Sequence, residues 1–220
     1  MPLPAAIFWD MDGTLIDTEP LWEIATYELS EAVGRRLSLE KRLETMGGSF
    51  ANTLQICADW AGVTYDDADA TRWKDGMYAR MRELLSGDID TNPGIKQLLI
   101  SLRETGIPMF VTTNTERTLA DPCIDSIGRE FFHDTITGDE VPAGKPAPDM
   151  YVEAARRVGE DPKRCLVFED SWAGMSAGSA AGCKVLGLAD EVPAGVVRFD
   201  PKRFVGANAS DVATWFEAMS

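Results

Sequence analysis

Two aspartates, Asp10 and Asp12, are the residues of this chain that are best placed to do chemistry. They follow a short apolar run, residues 5–9, which has the length and composition of a buried strand, and Gly13 continues the turn. In an open α/β sheet, ligands bind in the crevice beyond the carboxyl ends of the strands. Because two carboxylates one residue apart would repel each other there, we expect a divalent cation or a substrate centre between them.

Further polar residues share one kind of position, just past a predicted strand or in a turn before a predicted helix. They are Thr113, Asn114, Lys145, Glu169 and Asp170. The carboxyl ends of parallel strands lie at the same edge of a sheet. We therefore expect these side chains to gather on the same side as Asp10.

From residue 93 onward the sequence alternates between helical and strand patterns. The apolar spacing predicts helices over 95–105, 117–127, 148–158, 171–181 and 211–219, and strands over 108–113, 135–137, 165–168 and 184–187, with a weaker strand signal over 203–205. Strands separated by helices of this length pair in parallel with right-handed crossovers. The sequence therefore predicts an α/β fold with a doubly wound parallel sheet.

A segment of different character follows the first strand. Between residues 17 and 85 the apolar residues recur at helical spacing, with glycine breaks, and no stretch has a convincing strand pattern. We expect an all-helical insertion of roughly seventy residues, the size of a small domain. The predicted division is a core of residues 1–16 and 86–220 and a helical domain of residues 17–85.

The stretch Asp-Met-Asp-Gly-Thr-Leu-Ile-Asp, residues 10–17, resembles the first signature of the haloacid dehalogenase-like superfamily, specifically its aspartate-nucleophile phosphatases. The later motifs occur in the order and on the elements where that superfamily has them, so the resemblance covers nearly the whole chain. It implies a Rossmann-like core. It also implies that the helical insertion is a cap domain of the kind that lies between the first and second signatures.

Hydrolysis of a phosphate ester needs an in-line nucleophile, groups that bind the phosphoryl oxygens and a proton donor for the leaving group. The resemblance implies Asp10 as the nucleophile that forms an aspartyl-phosphate and Asp12 as the acid and base. It implies Thr113 and Lys145 as binders of the substrate phosphate, and we group the neighbouring Asn114 with them.

The same resemblance implies Mg²⁺ as the cofactor. Asp10, Asp170 and the main-chain carbonyl of Asp12 would supply the hard oxygen ligands that Mg²⁺ prefers. Glu169 matches an acidic neighbour that supports the metal in some relatives.

The predicted function is a Mg²⁺-dependent phosphomonoesterase acting on a small phosphorylated metabolite, in particular a sugar phosphate. Residues 17–22, Asp-Thr-Glu-Pro-Leu-Trp, are similar to sugar-phosphate phosphatases of this subfamily. One alternative is a β-phosphoglucomutase-like phosphomutase, whose cap uses a His and an Arg where this chain has Trp22 and Phe50. Another alternative is a catalytically silent binding protein with the same fold, and the intact set of acids and Lys145 argues against it.

Each motif alone also has a purely structural interpretation. Asp170 and Ser171 can cap the helix that follows them, and a lysine in a Pro/Gly turn such as Lys145 is usually solvated. Their joint occurrence beyond successive strands is what favours an active site.

The composition excludes several classes of function. With 45% hydrophobic and 26% charged residues, the 220-residue chain is typical of globular proteins, and its net charge of -15 disfavours nucleic acid as a partner.

No apolar stretch is long enough to cross a bilayer, and residues 1–4 lack the features of a secretion signal, so we expect a cytoplasmic protein without a membrane partner. The four cysteines form no Cys-x-x-Cys pair, which favours reduced thiols over zinc. No obligate protein partner is evident.

Overall fold

A six-stranded parallel sheet forms the centre of the fold. The computed structural model of the chain describes residues 3–87 and 89–219. The strands are β1 Ala6–Trp9, β2 Met109–Thr112, β3 Asp134–Ile136, β4 Cys165–Glu169, β5 Lys184–Gly187 and β6 Val197–Arg198. Their order across the sheet is β3-β2-β1-β4-β5-β6, and all neighbours pair in parallel. The predicted α/β fold with a parallel sheet is confirmed.

The helices lie in the connections between strands or after the last strand. They are α1 Glu19–Val33, α2 Leu39–Leu43, α3 Phe50–Ala61, α4 Asp67–Leu84, α5 Ile95–Glu104, α6 Arg117–Ile127, α7 Asp149–Val158, α8 Trp172–Ala180 and α9 Ala209–Glu217. Helices α5 to α8 agree closely with the predicted ranges.

Both faces of the sheet are covered by helices. Ile7 and Trp9 of β1 belong to an apolar cluster with residues of α5, α6 and α9, whereas Ala6 and Phe8 belong to a second cluster with residues of α7 and α8. All four of these β1 residues are fully buried. Since neighbouring residues of a strand point to opposite faces, the continuous apolar run of β1 follows from burial on both sides.

The inserted segment forms helices only. Residues 17–85, all of which the structure describes, contain α1 to α4 and no strand. Their apolar faces make a separate cluster, in which Leu29 of α1, Leu54 of α3 and Met81 of α4 are buried, and Leu119 of α6 joins it from the sheet side. The helical spacing of apolar residues thus produces a small core of its own beside the sheet.

One strand expectation is wrong. Residues 201–204 form a turn of 3-10 helix rather than a strand over 203–205, and the edge strand is Val197–Arg198. The Asp200 side chain accepts a hydrogen bond from the backbone N–H of Lys202, which starts the turn, and Pro201 suits its first position. Phe204 then packs against Phe168 and Phe199. Its apolar character therefore reflects an aromatic cluster, not a strand.

Among residues 3–87 and 89–219, no helix combines the length and apolar character needed to cross a membrane.

Candidate active site

The predicted site residues meet where the strand order reverses. Strands β2 and β3 lie on one side of β1 and β4 lies on the other, which makes the carboxyl ends of β1 and β4 a topological switch point. A cavity of about 80 Å³ opens there. Its lining includes most of the predicted residues, namely Asp10, Asp12, Thr113, Asn114, Lys145 and Asp170.

Lys145 is the cation at the base of this cavity. Its ammonium donates hydrogen bonds to Asp10 Oδ1 at 2.5 Å, to the main-chain oxygen of Thr112 at 2.9 Å, and to Glu169 Oε1. The lysine side chain is 1% exposed. Because an ammonium has three N–H donors, all of them are engaged. Lys145 is therefore a buried, fully paired cation and not the solvated lysine of an ordinary turn.

Glu169 lies behind the cavity and is completely buried. Besides Lys145, its Oε1 accepts a hydrogen bond from the Tyr151 hydroxyl at 2.9 Å, and its Oε2 accepts from the backbone N–H and hydroxyl of Ser171 at 3.2 and 3.0 Å. A carboxylate has about four acceptor positions, so these bonds fill them. This favours a role for Glu169 in orienting Lys145, and the metal contact predicted for it remains a prediction.

The carboxylates outnumber the ammonium at this point. Burial and then the charge of Glu169 raise the pKa of Asp10 well above its ordinary value, although Lys145 opposes the shift. Burial and Glu169 also raise the pKa of Asp170 to about 8. Burial alone would lower the pKa of Lys145, but the carboxylates of Asp10 and Glu169 outweigh it and raise that pKa. The cluster has an excess of negative charge that a further cation would relieve.

The cluster also has the donor set of a divalent cation site. Carboxylate oxygens of Asp10, Glu169 and Asp170 all lie within 4.8 Å of one another. Asp10 Oδ2 is buried and has no hydrogen-bond partner, although buried carboxylate oxygens are normally paired. An unpaired buried oxygen among acidic groups fits a hard cation such as Mg²⁺.

Gly13 is required by the position of Asp170. The glycine has a φ of +87°, a left-handed conformation, and a Cβ added to it would overlap the Asp170 carboxylate. The turn after β1 therefore brings the backbone against the acid that follows β4. Ser171 does cap α8, as its side chain accepts from the Gly174 N–H at 3.0 Å, so Asp170 is held between a helix start and the Gly13 turn.

Asp12 is fixed by donors from two sides. Its Oδ1 accepts hydrogen bonds from the Thr18 hydroxyl and from the Trp22 indole N–H, the latter at 2.9 Å. Its Oδ2 accepts from the hydroxyls of Thr113 at 3.3 Å and Thr115 at 2.8 Å. The carboxylate that was predicted to move protons is thus held in one orientation beside Asp10. Two of the four hydrogen bonds that fix it come from the inserted segment, from Thr18 and Trp22.

Asn114 joins two loops at the rim of the cavity. Its amide N–H groups donate to the main-chain oxygens of Gly47 at 2.9 Å and Lys145 at 3.0 Å, and its oxygen accepts from the Lys145 N–H at 2.8 Å. Gly47 has a φ of +68° and lies so close to Ser171 that a Cβ added to the glycine would overlap the Ser171 side chain. In this arrangement Asn114 positions backbone, and its predicted contact with a substrate phosphate remains a prediction.

The inserted helices form the opposite wall of the cavity. Trp22 and Phe50, the residues at the two positions compared with the phosphomutase cap, both line it, together with Met77 of α4. Glu19 and Arg42 also line it and form an ion pair of 2.5 Å.

Sequence reasoning missed several of these residues. Thr115 was not among the predicted site residues, but its hydroxyl donates a hydrogen bond to Asp12. Tyr151 lies on the buried face of α7, where nothing in the spacing distinguishes it from a core aromatic. Arg42 is 4% exposed although it follows Lys41 in a charged stretch that is typical of a solvated helix. A site formed between separate elements leaves no local signal at such positions.

Comparisons with known proteins agree with this geometry. Residues 4–182 match the family model of the haloacid dehalogenase-like hydrolases. Since the match spans most of the chain, the protein belongs to that hydrolase family, and the resemblance seen in its motifs is confirmed. Several curated relatives are named as phosphatases.

Individual relatives show how far the similarity extends. The chain is 32% identical to protein CbbY of Rhodobacter capsulatus over 196 residues, 84% of this chain and 85% of that protein. It is 28% identical to hexitol phosphatase B of Escherichia coli over 206 residues, 93% of this chain and 89% of the relative. It spans about half, 48%, of the bifunctional riboflavin kinase/FMN phosphatase of Arabidopsis thaliana, at 29% identity over 84% of this chain.

Among solved structures, CbbY of Rhodobacter sphaeroides in complex with xylulose-(1,5)bisphosphate is similar, with a TM-score of 0.68 and 27% identity. The match covers 87% of this chain and 94% of that one.

Proposed function

We propose that this hydrolase is a Mg²⁺-dependent phosphomonoesterase that acts on a small phosphorylated metabolite, a sugar phosphate, through an aspartyl-phosphate on Asp10. The observation that carries the proposal is the buried, unpaired Oδ2 of Asp10 within the cluster of Asp10, Glu169 and Asp170. Relatives named as phosphatases of hexitols, fructose 1-phosphate and phosphorylated carbohydrates support the substrate class.

In the first half of the proposed reaction, a carboxylate oxygen of Asp10 forms a bond to phosphorus while the ester P–O bond breaks. Asp12 gives a proton to the departing oxygen, so the product leaves as an alcohol. Thr113 and Lys145 would bind phosphoryl oxygens, which carry the negative charge of the transition state, once the substrate phosphate replaces one of the protein acceptors that each side chain contacts in the free protein.

In the second half, a water oxygen attacks the phosphorus of the aspartyl-phosphate. Asp12 takes up the proton of that water, and cleavage of the bond between phosphorus and Asp10 releases inorganic phosphate, which restores the Asp10 carboxylate and the protonated form of Asp12. Thr18, Trp22, Thr113 and Thr115 keep the two oxygens of Asp12 in place.

Asp10, Asp170 and the main-chain carbonyl of Asp12 would hold Mg²⁺. When bound, the ion offsets the negative charge that otherwise separates the anionic substrate from Asp10. Glu169 would act through Lys145, since its acceptor positions are filled by protein donors.

We propose residues 17–85 as a cap domain over a core of residues 1–16 and 86–220. The cap would exclude bulk water during the reaction and admit substrate by opening. A cytoplasmic location and the lack of an obligate protein partner remain predictions.

A phosphomutase would need cationic groups on the cap side for a second phosphoryl group. Trp22 and Phe50 carry no charge, and the cap cation in this cavity, Arg42, is already paired with Glu19. These observations favour hydrolysis of the aspartyl-phosphate over transfer of its phosphoryl group back to the substrate. The complete set of Asp10, Asp12, Lys145 and Asp170 favours an enzyme over a silent protein.

The test is phosphate release from a panel of sugar phosphates and an aryl phosphate, with Mg²⁺ and with excess chelator. Wild-type protein should release phosphate only with the metal, and Asp10→Asn should lose at least about 10³-fold in rate. Asp17→Asn, an exposed aspartate of the same signature, is the matched control and should retain activity. Full activity of Asp10→Asn or of wild type in chelator would overturn the proposal.

A further inference from the structure

The ion pair between Glu19 and Arg42 lies in the wall of the cavity that faces the catalytic acids. Arg42 is 4% exposed, and its Nη2 donates to Glu19 Oε1 at 2.5 Å while its Nη1 donates to the Thr45 hydroxyl at 3.1 Å. Both charged residues line the same cavity as Asp10 and Asp12. The pair connects the start of α1 to α2, so it is formed entirely by the inserted helices.

Part of the Arg42 guanidinium has no protein partner. Its Nε is buried and makes no hydrogen bond, whereas buried donors are normally paired because an unmade bond costs about 1–3 kcal/mol. An ion pair with a purely structural role could lie at the surface, as the pair of Arg36 and Glu31 does, with both side chains more than half exposed. An acceptor on a bound ligand would satisfy the Arg42 donor.

The charges in this wall cancel. Glu19 contributes one negative charge and Arg42 one positive charge, so the wall offers no net cation to a second anionic group of a substrate. The hydroxyls of Thr26, Thr53 and Tyr78 line the same cavity and are neutral. Guanidinium N–H groups donate to hydroxyl oxygens and a carboxylate accepts from hydroxyl protons, so a polyol can satisfy both members of the pair at once. A carboxylate or phosphate at that position would instead meet the charge of Glu19.

We propose that Glu19 and Arg42 determine specificity by selecting phosphomonoesters whose far end is a neutral, hydroxylated carbon chain and by rejecting those that carry a second anion there. This inference rests on the proposed phosphatase function. Glu19 is the residue that disfavours substrates with a second anion. Without it, Arg42 would be an unpaired cation in the cavity and would attract the anionic end of such a substrate.

The experiment compares two substrates that differ in one group, glucitol 6-phosphate with a terminal hydroxymethyl group and 6-phosphogluconate with a carboxylate in its place. Wild-type enzyme with Mg²⁺ should show a kcat/KM at least about tenfold higher for glucitol 6-phosphate. Glu19→Gln should shift the ratio of the two values by about tenfold or more toward 6-phosphogluconate. The double variant Glu19→Gln with Arg42→Gln removes both charges, so its ratio should return toward that of the wild type.

Glu31→Gln is the matched control, since it removes a carboxylate from an exposed ion pair on the same helix and should leave the ratio unchanged. A wild-type enzyme that hydrolyses both substrates equally, or prefers 6-phosphogluconate, would overturn the inference even if no variant folded. The inference would also be overturned if Glu19→Gln is folded and active but has the same ratio of the two kcat/KM values as the wild type. Absence of phosphate release by wild type from every phosphomonoester would instead overturn the proposed function itself.

Discussion

Lys145 connects residues that are far apart in the sequence. Its ammonium joins Asp10, 135 positions away, to Glu169, 24 positions away, in a fully buried arrangement. Such an arrangement is stable only when the charges remain paired, because the desolvation of each ion is offset by its partner. The same contact that orients the proposed nucleophile therefore also stabilises the fold.

Replacement of this lysine should be costly to stability. Lys145→Met leaves the buried Asp10 and Glu169 carboxylates without their cation, so we expect the free energy of unfolding to fall by about 3–5 kcal/mol, together with loss of activity. Urea denaturation followed by circular dichroism measures the change. Lys41→Met, which removes the lysine of an exposed pair with Glu44, should leave the urea midpoint almost unchanged. Equal midpoints for both variants would contradict the importance of the buried pair.

The residues that could be predicted from sequence are those within local motifs. Asp10 and Asp170 directly follow strands and Asp12 lies two residues beyond Asp10, and these positions indicated that the three carboxylates converge. Arg42 and Tyr151 could not be predicted, because their burial depends on which helices pack together. No spacing rule within one helix distinguishes a charged residue that faces solvent from one that faces a cavity.

At the level of elements, the start of α1 connects the inserted helices to the proposed acid and base. Thr18, which immediately precedes that helix, and Trp22, in its first turn, both donate to Asp12 Oδ1. Movement of α1 would therefore alter the orientation of Asp12. Trp22 is a positioning residue in this account, since it acts through Asp12.

Trp22→Phe keeps an aromatic ring and removes the indole N–H donor. Loss of a hydrogen bond to a charged group should lower kcat by about tenfold while changing KM much less. Steady-state kinetics with a sugar phosphate measures both constants. Trp60→Phe, which removes an indole donor to the Arg36 main-chain oxygen away from the cavity, is the control. A Trp22→Phe variant with unchanged kcat and a raised KM would show that Trp22 only contacts substrate.

Strands with a strong sequence pattern could be predicted, whereas the short edge strand β6 could not. The buried strands β1, β2, β4 and β5 have continuous apolar runs with β-branched or aromatic residues. Strand β6 has two residues, both exposed, and so offers too short a pattern to detect. The apolar residues near Phe204 suggested a strand because periodicity alone does not separate strand burial from aromatic packing in a short turn.

For the whole molecule, the formal net charge of -15 and the acidic cluster at the switch point imply that a bound cation would affect stability as well as the proposed catalysis. The cation would relieve repulsion that exists only when the chain is folded. Binding to the folded state alone should therefore raise the temperature of unfolding.

Mg²⁺ at about 100 times its Kd should stabilise the protein by about 2.7 kcal/mol, which raises Tm by roughly 5–10 °C for a chain of this size. Differential scanning fluorimetry with Mg²⁺ and with chelator measures the shift. Asp170→Asn should lose most of it, whereas Asp17→Asn should retain it. The same shift in Asp170→Asn as in wild type would remove Asp170 from the metal site.

The most direct measurement of the central claim is detection of the covalent intermediate. Protein mixed with a ³²P-labelled sugar phosphate and Mg²⁺, and quenched in acid within milliseconds, should carry label on the peptide that contains Asp10. Asp10→Asn treated in the same way should carry none. Label on a different residue, or turnover of substrate with no labelled protein at any quench time, would contradict an aspartyl-phosphate mechanism at this site.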